Sequence, residues 1–224
     1  LDGSGGSNAN VSINSNGVIA GTTLTIKSGS SGSVTVTLGN TASGATVNIT
    51  TPNLNNNGTV ISTDGDLSIQ SNASGNALVI AMGADVSGVS SRLLADNINS
   101  NVNFNNSSAG AVTITGTSNG GVISADNHIV LNGGTNAVSV NVKQLIGCIE
   151  ATSSSVSIQS QVGNLDLCQG VNTSSINGSG GAVNITSIGG VVNVADIITN
   201  GFGSGNTAGS IIIAAANGVN FGNI

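Results

Sequence analysis

The sequence predicts an all-β fold, a three-sided parallel β-helix with about eight rungs of roughly 27 residues each, forming one domain over residues 1–224. Three observations predict it. The chain holds 34 Gly, 1 Pro and 3 Phe, has no Trp or Tyr, and only 5% of it is charged. Short apolar–polar–apolar triplets recur from end to end. In the second half they recur at a nearly constant step.

Helix signals are almost absent. Gly, Ser, Thr and Asn interrupt every window in which apolar residues could fall at i, i+3, i+4 and i+7. The strand triplets begin at Val11, Leu24, Val34, Val47, Leu67, Leu78, Val102 and Val112, and then at Ile129, Val138, Val156, Leu165, Val183, Val192, Ile211 and Val219. Period-2 alternation turns the outer residues of each triplet inward and the middle one outward.

One series starts at Val102, Ile129, Val156, Val183 and Ile211, with steps of 27, 27, 27 and 28. A second starts at Val112, Val138, Leu165, Val192 and Val219, with steps of 26, 27, 27 and 27. Segments at Val122, Leu145, Ser174 and Asp196 are the expected third sides. A fixed period in this range marks a solenoid, in which each rung buries its apolar face only against its neighbours. The N-terminal part is less regular, since the related boxes at Gly17 and Gly58 are spaced more widely than this step. A coil so narrow suits Val, Ile and Leu better than large rings. Gly and Asn tolerate its corners, and Asn132, Asn164, Asn193 and Asn220 stand where a stacked amide ladder could run.

The composition excludes several roles. Three Lys and Arg cannot track a phosphate backbone, so no nucleic-acid partner is expected. The longest strictly apolar stretch, Ile211 to Ala216, is far too short to span a membrane as a helix. Residue 1 is Leu, no signal peptide is visible, and the chain reads as an excerpt of a longer repetitive one.

The candidates for chemistry are few. Alternation turns Cys148 and Cys168 outward in adjacent rungs. That suits a disulfide in an oxidising compartment, although their different phases within the rung require a local bend; two separate thiols are the other reading. Asp64 and Asp66 could hold calcium or act as paired carboxylates, but an Asp-Gly turn accounts for them. His128 has Asp126 near it and no serine elbow around a nucleophile. Lys27, Arg92 and Lys143 read as solvated. Alternating Thr at Thr23, Thr35 and Thr113 suggests an ice-ordering face, yet Val140 stands one period after Thr113. Tripeptides at Asn48, Asn72, Asn105 and Asn184 match the glycosylation pattern at the frequency this composition gives by chance. The expectation is a non-enzyme with no cofactor and no metal.

The boxes GGVISADNHIVLNG and SGGAVNITSIGGVVNVADIITNGFGSGNTAGSIIIAAANGVNFGNI resemble the repeats of filamentous-haemagglutinin-type exoproteins, bacterial surface adhesins exported by two-partner secretion. The similarity covers nearly the whole chain. TPNL at Thr51 loosely resembles that family's Asn-Pro-Asn-Leu motif. Thr51 replaces the first Asn and Pro52 is the only proline, so this is not read as the secretion domain. The resemblance implies a right-handed parallel β-helix, secretion to the cell surface through an outer-membrane partner, and a part in adhesion or biofilm. Its partners would be glycans or proteins of host or neighbouring cells, or further copies of itself. The leading expectation is a stiff stalk or filament body. The alternatives are a subunit that stacks end to end and a β-helix carbohydrate-active enzyme.

Overall fold

A computed structural model describes residues 1–14, 16–71, 77–83, 90–106, 110–116, 120–134 and 136–221, without the side chain of Gln169. Every strand pair in it is parallel, and the chain winds through nine coils of a parallel β-helix. Coil 1 holds β1 (Val11–Ile13), β2 (Val18–Ile19) and β3 (Thr23–Lys27). Coil 2 holds β4 (Ser33–Val36), β5 (Thr41–Gly44) and β6 (Thr46–Thr50). Coil 3 holds β7 (Asn53–Asn56), β8 (Thr59–Ser62) and β9 (Leu67–Gln70). Coil 4 holds β10 (Leu78–Met82), β11 (Arg92–Ala95) and β12 (Val102–Asn105). Coil 5 holds β13 (Val112–Gly116) and the long β14 (Val122–Asn132). Coil 6 holds β15 (Ala137–Val142) and β16 (Gln144–Thr152), and coil 7 holds β17 (Ser155–Ser160) and β18 (Leu165–Asn172). Coil 8 holds β19 (Val183–Ser187), β20 (Val192–Val194) and β21 (Ile197–Ile198), and coil 9 holds β22 (Ile211–Ala215) and β23 (Val219–Phe221).

The first strand of every coil joins face 1, a nine-stranded sheet in the order β1-β4-β7-β10-β13-β15-β17-β19-β22. The remaining strands form faces 2 and 3, hydrogen-bonded into one bent sheet because β14 runs round the corner between them. Its first residues pair with β11 and its last with β12. Nine strands at about 4.8 Å spacing make a stack roughly 40 Å long.

All sixteen triplets lie in strands, but they do not lie on the faces the constant step assigns them. Val102 pairs with Ile129 on face 3, whereas Val156, Val183 and Ile211 stack on face 1. Val112 and Val138 belong to face 1, whereas Leu165, Val192 and Val219 belong to face 2. Both series change face at the same place, because coil 6 is short. Val138 pairs with Val156, well before a full step is complete, so the constant step overshoots there by one face. Rungs are far from equal. Coil 2 is short, with Val34 paired to Leu54, and coil 4 is long, with Ile80 paired to Ile114. Short coils are why the chain makes nine turns where a uniform step predicts about eight. The wide spacing of Gly17 and Gly58 spans two coils, since Val18 pairs with Ala42 and Ala42 with Val60. Residues 174–176 form no strand, and coil 3 takes NLNN, behind Thr51 and Pro52, as its face-1 strand.

The inward residues form one aliphatic core with Phe104 and Met82 fully buried in it. Corners are lined differently. Small polar side chains turn inward there and bind loop carbonyls. After face 3, Thr51 donates to Asn53 O (2.8 Å), Ser153 to Ser155 O (2.6 Å) and Thr173 to Gly181 O (2.7 Å). After face 1, Ser160 donates to Val162 O (2.8 Å) and Ser187 to Gly163 O (2.9 Å). A buried hydroxyl is tolerated because it satisfies a carbonyl that the bend takes out of the ladder.

Candidate functional site

The corner between faces 2 and 3 departs most from regular stacking, and the chemistry of the chain collects there. Ser124 pairs with Ile146 and His128 with Cys148, so three residues of β14 oppose Gly147 alone. The surplus bulges Asp126 and Asn127 outward. One coil on, Cys148 pairs with Asp166 and Glu150 with Gly170, so three residues of β18 oppose Ile149. This is the local bend that the phases of the two cysteines require. It brings Cys148 and Cys168 to a Cα separation of 5.5 Å, inside the range a disulfide spans, and their sulfurs are joined. Gly147 has φ +128°, and a Cβ there would stand 2.5 Å from Ala125 O, so the corner admits no side chain.

A shallow groove of about 840 Å³ runs along this corner over the last five coils. Asp126, His128, the disulfide, Asp166, Asn193, Asn220 and Phe221 line it. Phe221 is 56% exposed, in contrast to Phe104 in the core. The expected amide ladder exists here in altered form. Asn220 donates to Asn193 Oδ1 (2.8 Å), and Asn193 donates to Asp166 Oδ1. Asn164 and Asn132 are not rungs of it: Asn164 caps the Val191 amide (3.0 Å) and Asn132 the Gly134 amide (3.1 Å). The true members are the outward middle residues of LDL, VNV and VNF, so alternation held the signal for Asp166.

The acids also prove less scattered than the chain order suggests. Asp64, Asp96 and Asp126 follow the face-2 strands of successive coils, with Ala95 and Ala125 in register just before the last two. Asp166 pairs with Cys148 and lines the groove with Asp126, and Asp196 follows β20 one coil on. Asp64 and Asp66 are held by the next coil: Asn97 donates to Asp64 Oδ1 (2.8 Å) and Asn103 to Asp66 Oδ2 (3.0 Å). Among the described residues, no three His, Cys, Asp or Glu side chains meet at metal-binding spacing. His128 and Asp126 share the groove, and the His128 amide donates to Asn101 Oδ1 (3.1 Å).

Lys143 Nζ donates to Ser90 Oγ (3.2 Å), and Lys27 ends β3 beside the N-terminal segment, where its amide donates to Leu1 O (2.8 Å). Arg92 begins β11 on face 2. In that N-terminal segment the Ser4 hydroxyl, then the Ser4 amide, hold the exposed Asp2 carboxyl below its ordinary value. Thr113 of the suggested ice-ordering array stands between Val79 and Ser139 rather than beside Val140, so in the true register too its Thr does not recur on the neighbouring coils. Asn48 and Asn184 are outward on faces 3 and 1, Asn105 ends β12, and Asn72 lies outside the described residues.

The corner offers carboxylates, amides, an imidazole and one exposed ring along a shallow trough. Such a surface can hydrogen-bond a ligand along the axis. No protein-family model, curated protein or solved structure matches the chain.

Proposed function

We propose that this chain is a stalk or filament-body segment of a secreted bacterial surface fibre, serving adhesion or biofilm. The observation that carries the reading is the unbroken nine-strand stack of face 1 around a single aliphatic core. Neighbouring coils are joined by backbone hydrogen bonds and interlocked core ladders, so bending or stretching such a rod breaks many contacts at once. Stiffness over distance is what a stalk supplies. The cross-coil disulfide supports an oxidising compartment. The sparsely charged, hydroxyl- and amide-rich exterior suits a surface facing water along its whole length. Export would require an outer-membrane partner, and recognition of glycans or proteins on other cells would fall to the flanks of the rod or to other parts of the fibre. The chain carries no catalytic role in this reading.

Immunogold labelling of intact source cells, with antibodies raised against the 224-residue chain, tests it. Label on extracellular fibres, removed by mild protease treatment of intact cells, is the expected result. Label that enters only after permeabilisation overturns the proposal.

A further inference from the structure

We propose that the outer surface of face 1 is a lateral pairing surface for a second copy of this chain. Four observations meet on it.

The first is regularity. Every strand pair of face 1 is in continuous register, whereas the bent sheet shifts register at β14–β16 and again at β16–β18. Nine strands without a bulge give a rigid surface that loses little conformational freedom when covered.

The second is charge. The chain carries a net charge of -6. None of the nine face-1 strands contains an ionisable residue, while the other sheet carries Lys27, Arg92, Asp126, His128, Glu150 and Asp166 in its strands. Two copies approaching through the acidic corner bring carboxylates together, which is repulsive. The strands of face 1 themselves bring no carboxylate into such a contact.

The third is chemical self-complementarity. Thr113, Thr115, Ser139, Ser157, Asn184 and Thr186 point outward, and among the described residues their side chains make no hydrogen bond within the chain. Hydroxyls and amides both donate and accept, so identical columns can satisfy one another, as carboxylates alone cannot. Val79 and Ala81 lie beside Thr113 and Thr115 and put apolar area next to the middle of the face.

The fourth is size. Eight inter-strand steps and about five residues per strand give a face of roughly 38 by 16 Å. Two such faces bury about 1,200 Å² in total, the lower edge of specific interfaces. The pairing is therefore weak and concentration-dependent. A closed pair is isologous, with its two-fold axis through the middle of the face. The middle strand is β13, which places Thr115 near its own copy.

Cross-linking tests this directly, because both native cysteines are already joined. The variant Thr115→Cys, oxidised gently at roughly 100 µM, is expected to form disulfide dimers about tenfold faster than Thr23→Cys on face 3, since pairing raises the local thiol concentration. Equal rates overturn the proposal. The unsubstituted chain is expected to show a monomer–dimer equilibrium in sedimentation at about the same concentration, and a strictly monomeric chain overturns it. The double variant Ser139→Asp with Ser157→Asp puts four carboxylates into the pair and is expected to return it to monomer with its thermal midpoint unchanged. A dimer that survives this change associates through its ends or another face, which also overturns the proposal. None of these outcomes depends on where the protein resides.

Discussion

Face 1 and the corner between faces 2 and 3 are built on the same inward pattern and differ in register continuity and in what faces out. On face 1, Val112, Val138, Val156 and Val183 stack in register with neutral small side chains between them. At the corner, equally buried Ile149 and Leu167 sit beside bulges that expel Asp126, Asn127 and Cys168. The core therefore tolerates irregularity, provided the inward residues still meet their neighbours. Among the described residues, both bulges, the cross-link, Asp126 and Asp166 lie on that side, and the strands of face 1 carry none of them.

If the two regions share one core, truncation should cost alike in both. Phe104→Ala on face 3 and Ile114→Ala on face 1 are expected to lose about 3–5 and about 2–5 kcal/mol of stability, read from denaturant midpoints. A loss below about 1 kcal/mol in either would break the equivalence. Removing the cross-link should separate the regions. Cys148→Ser with Cys168→Ser opens a loop of 20 residues, worth about 3 kcal/mol in the loop-entropy account. Hydrogen exchange should then speed up at residues 147–150 and 165–170 of the bent sheet before it does in β15 and β17. Even acceleration across both sheets would show that the bulges depend on the bridge no more than face 1 does.

Glycine gives a smaller contrast. Gly147→Ala meets Ala125 O, whereas Gly39→Ala, at φ +78°, meets nothing within 4 Å. The first is expected to cost about 1–3 kcal/mol and the second less, a ranking that thermal melts can check. Weaker still, Asn193→Ala breaks the ladder to Asp166 and Asn220 and should cost under about 1 kcal/mol. Ser139→Ala on face 1 removes no intrachain bond and should be neutral. A slight, pH-dependent effect belongs to Asp2. Its folded pKa is lowered, so its contribution is present above the ordinary value of 3.8 and is lost as pH falls through the lowered one. Asp2→Asn should flatten that part of an acid titration and leave stability at neutral pH almost unchanged.

Much of the fold was legible because alternation is local. The triplets around Val34, Leu67 or Ile185 state which side chains are buried without reference to any other part of the chain. The outward turn of Cys148 and Cys168 was legible for the same reason. Asp166, not Asn164, is the ladder partner because position within the triplet, rather than residue type, sets which side chains stack. The acidic corner could not be read at all, since Asp96 and Asp126 fall behind the paired Ala95 and Ala125 only through the stacking of coils of unequal length.

The sequence by itself determined the fold class, the composition of the core and the inward or outward sense of strand residues up to the last coil, where Ile211 and Phe221, inward by alternation, are exposed. These follow from side-chain volume, β-branching and the two-residue period of an extended chain. Tertiary structure alone decided which face each triplet occupies, where coil 6 shortens, and which side chains share the groove. The physical reason is degeneracy. A Val-x-Val segment buries the same surface on any of the three faces, so nothing local distinguishes a step of one coil from a step of one coil and a face. Only the simultaneous pairing of each strand with the coils on both sides of it removes that ambiguity.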